Sequence, residues 1–142
     1  MKLLFVVPHY FKPTDGQHGS SSGNASRRAN SLAEAILAIH QLFGGLSSEI
    51  DIFRKTAIRI PSPHTVDIIV CTTGHNHLIA DLPIRTDLFR HHNSQAEPLM
   101  LGFECQAVLR EHLNQSYDYY CFLEDDLVLH DTLFFEKLNQ FN

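Results

Sequence analysis

The sequence is short of basic side chains: 11 Lys+Arg stand against 16 Asp+Glu, for a formal net charge of -5. Nucleic-acid affinity comes largely from clustered cations that displace counterions, so this balance argues against a phosphate-backbone binder. Long apolar runs are also missing. None reaches the ~20 residues that a bilayer-spanning helix needs. The N-terminal run "LLFVV" stops at Pro8, with no small-residue cleavage site after it. A cytoplasmic location with no membrane span is the expectation. Cysteines are few: Cys71, Cys105 and Cys121 are odd in number, far apart and set in apolar segments. That pattern suggests neither a disulfide framework nor a Cys-x-x-Cys metal clip, and predicts reduced, buried thiols. Internal repeats and low-complexity tracts are lacking as well.

What is present is an ordinary globular composition, 44% hydrophobic and 19% charged over 142 residues. Such a chain is long enough for one domain with its own core. Leu3 to Val7 is continuously apolar, as expected of a strand covered on both faces. His9 to Asn30 is polar and punctuated by glycine, which predicts a long loop turning helical near its end. Ser31 and Glu34 have capping-box spacing, and Leu32, Ala35, Ile36, Ile39 and Phe43 recur at helical intervals until Gly44-Gly45. Ile50 to Ile60 alternates weakly and has room for a short strand. Val66 to Gly74 predicts a second buried strand, and the stretch through about Ala96 carries no clear pattern. A helix is expected from Pro98 to about Asn114, with Leu99, Phe103, Ala107 and Leu113 as its apolar contacts. Tyr117 to Leu129 predicts another strand. Asp131 is placed to cap a last helix whose Phe134, Phe135, Leu138 and Phe141 form one stripe.

Strand and helix thus alternate, the pattern of an α/β fold with a mostly parallel sheet and helices on its faces. Ligands of such sheets sit beyond the carboxyl ends of the strands. Pro8, Thr72 to Gly74, and the triplet Glu124-Asp125-Asp126 all fall at such ends. The triplet is the most informative of these features. Adjacent carboxylates repel and are costly near a core unless a cation neutralises them, and a hard divalent ion such as Mg2+ or Mn2+ takes oxygen ligands. On an extended strand Glu124 and Asp126 share a face, while Asp125 points to the other.

The stretch "CFLEDDLVLHDTLFFEKL" resembles the strand, acidic motif and helix of GT-A fold nucleotide-sugar glycosyltransferases, in the Glu-Asp-Asp form of their DXD motif. It is especially similar to the N-acetylglucosaminyltransferase I family. "FVVPHYFKP" is similar to the stretch that follows the first strand in family 2 GT-A enzymes. The resemblance implies a three-layer, Rossmann-like donor half spanning residues 1-142 and binding a nucleotide-diphospho-sugar, a UDP-sugar before others. It implies Asp126 as direct ligand of Mn2+ or Mg2+, and strand alternation adds Glu124 as the second carboxylate able to reach the ion. By the same resemblance Glu124 and Asp125 contact the ribose or sugar side of the donor, and Pro8, His9 and Tyr10 lie near the base. Only sixteen residues follow Asp126, too few for the acceptor side of such an enzyme. The expectation is therefore a truncated transferase without an identifiable catalytic base, whose exposed sheet edge would favour a homodimer.

Other readings compete with this one. The fold without turnover would serve as a non-catalytic remnant or interaction module. The loop with Gly16, Gly19 and Gly23, followed by Arg27 and Arg28, resembles the N-terminus of a GT-B glycosyltransferase, although it matches no phosphate-loop pattern. A receiver domain would need several strands after its acidic pair. Ten histidines, among them His75, His77, His91 and His92, lie mostly in polar, loop-like segments and read as surface groups rather than a zinc site.

Overall fold

The computed structural model describes residues 1–13, 24–45 and 48–141. Its centre is a four-stranded parallel sheet. β1 (Lys2–Pro8) pairs along its whole length with β4 (Thr65–Thr73), and on its other side with β6 (Tyr119–Phe122). β5 (Arg90–Ser94) adds to the far side of β4, giving the order β5-β4-β1-β6. Three helices accompany the sheet: α1 (Ala25–Phe43), α2 (Leu101–Glu111) and α3 (Phe134–Phe141). β2 (Ser48–Asp51) and β3 (Thr56–Arg59) form a separate antiparallel hairpin.

The apolar run of β1 is continuous because both faces of the sheet are covered. Leu3, Phe5 and Val7 pack with Ile68 and Val70 of β4 against Leu32, Ile36, Ile39 and Phe43 of α1. Phe135 brings α3 into the same cluster, its ring 5.0 Å from that of Phe43 in edge-to-face contact. Leu4, Val6, Ile69 and Cys71 face the other way, toward Leu101, Cys105 and Val108 of α2. Burying a side chain of this size is worth about 1.5–3 kcal/mol. The sheet is therefore held from two sides by independent apolar clusters.

Several expectations need correction. α1 begins a turn and a half before Ser31: Asn24 caps it, its side-chain oxygen accepting from the Ser26 N–H at 2.9 Å. Ser31 lies inside the helix and donates its hydroxyl to the Arg27 carbonyl. The expected helix from Pro98 is a short 3-10 turn followed by α2, and its phase differs from that expected. Leu101, Cys105 and Val108 are buried, whereas Leu99 is 94% and Phe103 61% exposed. β5, with the sequence "RHHNS", is an unanticipated edge strand. In the last helix Phe135 is fully buried and Phe141 is exposed, so the stripe covers only half of what was expected; Asp131 does accept from the Leu133 N–H.

The strand expected to reach Leu129 ends at Phe122. Leu123 still donates to the Val6 carbonyl at 3.2 Å, after which the chain turns, with Leu127 N–H donating to the Glu124 carbonyl. The acidic triplet thus occupies a turn at the strand end rather than a strand interior.

Candidate functional site

β1 and β6 run side by side in the same direction, so the segments following them leave the sheet together. From β1 come Pro8, His9 and Tyr10, and from β6 come Glu124, Asp125 and Asp126. The start of α1 lies against both. Asp125 is the buried member of the triplet, 6% exposed, and its carboxylate is fully engaged. His9 Nδ1 donates to Oδ2 at 2.6 Å, while Arg28 Nη2 donates to Oδ2 at 2.6 Å and Oδ1 at 2.8 Å. His9 is wholly buried, and its Nε2 accepts from the Leu78 backbone N–H at 3.2 Å. That acceptance leaves the ring hydrogen on Nδ1, where it meets Asp125.

A buried carboxylate is tolerated only when paired and hydrogen-bonded. Here a guanidinium and an imidazole meet that condition, and three chain segments are tied together by it. Arg28 also places Nη1 3.7 Å from Asp126 Oδ2. Its Nε is buried and has no partner among the described residues. Arg28 was legible in the sequence only as a cation in a polar loop, and its joining to Asp125 was not anticipated.

Beside this network lies a cleft of about 490 Å³, lined by Pro8, Tyr10, Arg28, Phe122, Glu124 and Asp125 together with the start of α2. The size suits a small ligand. Of the residues expected at a donor site, Pro8, Tyr10, Glu124 and Asp125 line the cleft. His9 stands behind Asp125. Asp126 is set apart on the solvent side, its side chain 60% exposed. Pro98, Leu99, Leu101 and Gly102 complete the wall; "PLMLG" offered no chemical signal, only a helix start.

Among the described residues no three His, Cys, Asp or Glu side chains converge as an ion cage. Glu124 and Asp126 remain exposed oxygen donors. The shared face expected of them on an extended strand is not imposed in this turn, where the Leu127 N–H donates to the Glu124 carbonyl. Asp125 is occupied by His9 and Arg28.

At the neighbouring strand ends, Thr72 Oγ1 lies 2.7 Å from His91 Nε2, and the rings of His77 and His91 meet edge to face at 5.0 Å. Both imidazoles are held below their ordinary pKa, first by burial and then by neighbouring histidines. The three thiols are free. Hydrogen bonding to Cys105 and then burial push the Cys71 thiol up, and burial pushes Cys121 up to about 11, so neither of these two is poised as a nucleophile. Gly16, Gly19 and Gly23 lie outside the described residues.

No protein-family model, curated protein or solved structure matches the chain.

Proposed function

We propose that the cleft binds a nucleoside-diphosphate sugar, and that the chain is a Rossmann-like, three-layer donor half of the GT-A glycosyltransferase type. The observation that carries this reading is where the cleft lies. In order of appearance in the parallel sheet, the strands stand 3-2-1-4, so the connections reverse direction between β1 and β6. Doubly wound sheets take their ligands at that point, beyond the carboxyl ends of the strands. There this chain has both its acidic turn and a ligand-sized cleft.

In this reading Tyr10, Pro8 and Phe122 supply apolar walls for the nucleoside. Glu124 and Asp126 hold Mg2+ or Mn2+ from the open side. The ion, when bound, offsets the charge of the diphosphate. Arg28, fixed by Asp125, adds a positive group at the same end of the cleft. Glycosyl transfer further requires an acceptor site and a base, and the proposal for this chain stops at donor binding.

Thermal-shift and calorimetric titration with UDP-, GDP- and dTDP-sugars, each with Mn2+ or EDTA, test it. A UDP-sugar is expected to bind with Mn2+, and Asp126→Ala to weaken it at least about tenfold, the loss of one charged contact in a phosphate site. Binding indifferent to EDTA and to Asp126 would point to the GT-B arrangement. No binding by any nucleotide sugar would leave a non-catalytic interaction module.

A further inference from the structure

The β2–β3 hairpin is the one part of the described sheet structure that packs on no other strand. Among the described residues its side-chain hydrogen bonds to the body lie at its base, where Arg59 Nε donates to the Gly45 carbonyl at 3.0 Å and, just after β3, Ser62 Oγ to the Phe43 carbonyl at 2.8 Å. An isolated two-stranded hairpin is marginal in water and normally buries a face. This one carries Ile50, Ile52 and Phe53 at 75%, 79% and 99% exposure, with Ile58 and Ile60 also exposed. Single exposed apolar residues need no explanation, but a projecting group of five does.

We propose that this hairpin is a docking arm for an anionic lipid surface. Two observations favour lipid over a protein groove. The bulkiest side chains sit at the apex, Ile52 and Phe53 in the turn itself. In the strands, Ile50 pairs across to Ala57 and Glu49 to Ile58. Paired residues share a face and successive ones alternate, so Ile50 and Ile58 lie on opposite faces. A protein groove covers one face of a hairpin, whereas a bilayer interface surrounds an inserted tip.

Charge selects the kind of surface. The chain carries -5, yet from Ser48 to Arg59 the hairpin sets Arg54, Lys55 and Arg59 against Glu49 and Asp51, and no further acid follows before Asp67. Asp51 is already engaged at the base of the turn, accepting from the Arg54 N–H at 2.9 Å with its other oxygen 3.7 Å from Arg54 Nε. Arg54 and Lys55 share the four-residue turn with Ile52 and Phe53, and their long apolar stems let the charged heads reach back to lipid phosphates once the tip enters the interface. Lys55 holds a φ of 51°, a left-handed conformation that favours glycine, and so keeps an ammonium where the backbone alone would prefer none.

The chain has no tryptophan, so Phe53→Trp in the full chain makes a unique indole at a position where packing is not at stake. With vesicles of phosphatidylcholine and phosphatidylserine its emission is expected to shift to the blue and to be quenched by lipid-borne quenchers. Phosphatidylcholine alone is expected to give a far weaker response. Adding R54E and K55E, with circular dichroism to check that the fold is kept, is expected to weaken vesicle binding by roughly thirtyfold or more, since each basic group near an anionic surface contributes on the order of a fivefold factor. An indole that stays solvent-like on both vesicles overturns the proposal. So does equal binding to both lipids, and so does a blue shift that grows with protein concentration without lipid, which would assign the arm to a second copy of the chain.

Discussion

The acidic turn after β6 and the β2–β3 hairpin both mix charged with apolar residues in the sequence, and the fold treats them in opposite ways. At the turn, a charged side chain is drawn inside: Asp125 is buried against His9 and Arg28. At the hairpin, apolar side chains are left outside: Phe53 touches almost nothing of its own chain. The polarity of a segment thus says less about its burial than whether partners from distant segments arrive there. Asp125 has them at positions 9 and 28, while the strands of the hairpin pair only with each other.

Substitution is the direct way to break this contrast. Asp125→Ala leaves a buried imidazole donor and a guanidinium without their acceptor, and is expected to lower unfolding stability by about 3–5 kcal/mol, read by urea denaturation. Phe53→Ser, although it removes a phenyl ring, is expected to stay within about 0.5 kcal/mol. Equal losses for the two would mean that the hairpin is packed and the comparison is wrong. A smaller effect is expected at the hairpin apex: Lys55→Gly relieves the left-handed backbone, gaining up to about 1 kcal/mol against the greater freedom of glycine in the unfolded chain. Slower amide exchange across β2 and β3, by up to about fivefold, would register it.

The smallest expected effect is on pH dependence. His77 and His91 have pKa values lowered in the folded state, so the unfolded chain binds their protons more readily. Their contribution to stability is full above the ordinary imidazole value near 6.5 and is lost as pH falls through the lowered folded values. Denaturation midpoints should therefore decline on mild acidification, and His77→Gln with His91→Gln should flatten that decline. An unchanged profile in the double variant would remove these two rings as its cause.

Legibility in the sequence followed the same division between local and distant causes. β1 and β4 were legible because burial on both faces leaves an unbroken apolar run. The body of α1 was legible from Leu32 to Phe43, but its first turns only as a loop turning helical near Asn30, since Ala29 is their only buried residue. β5 was hidden by "RHHNS", an edge strand whose polar side chains hydrogen-bond across strand ends rather than fill a core. α2 was found with the wrong phase because Leu99 and Phe103, the bulkier residues, face outward, Leu99 at the cleft. The acidic triplet was recognised as unusual, and a divalent metal ion was inferred to neutralise it. Asp125 is instead paired with Arg28, 97 residues away, a separation over which no local pattern reports.

That separation bears on when the molecule finishes folding. His9 contacts Leu78 and Asp125 across 69 and 116 residues, and closing such long loops is entropically slow. The pairing at Asp125 should then be absent from the folding transition state, and its loss should speed unfolding while leaving the folding rate nearly unchanged. The cluster at the mouth of the cleft would behave as a latch, set last and holding the lifetime of the native state rather than its rate of formation.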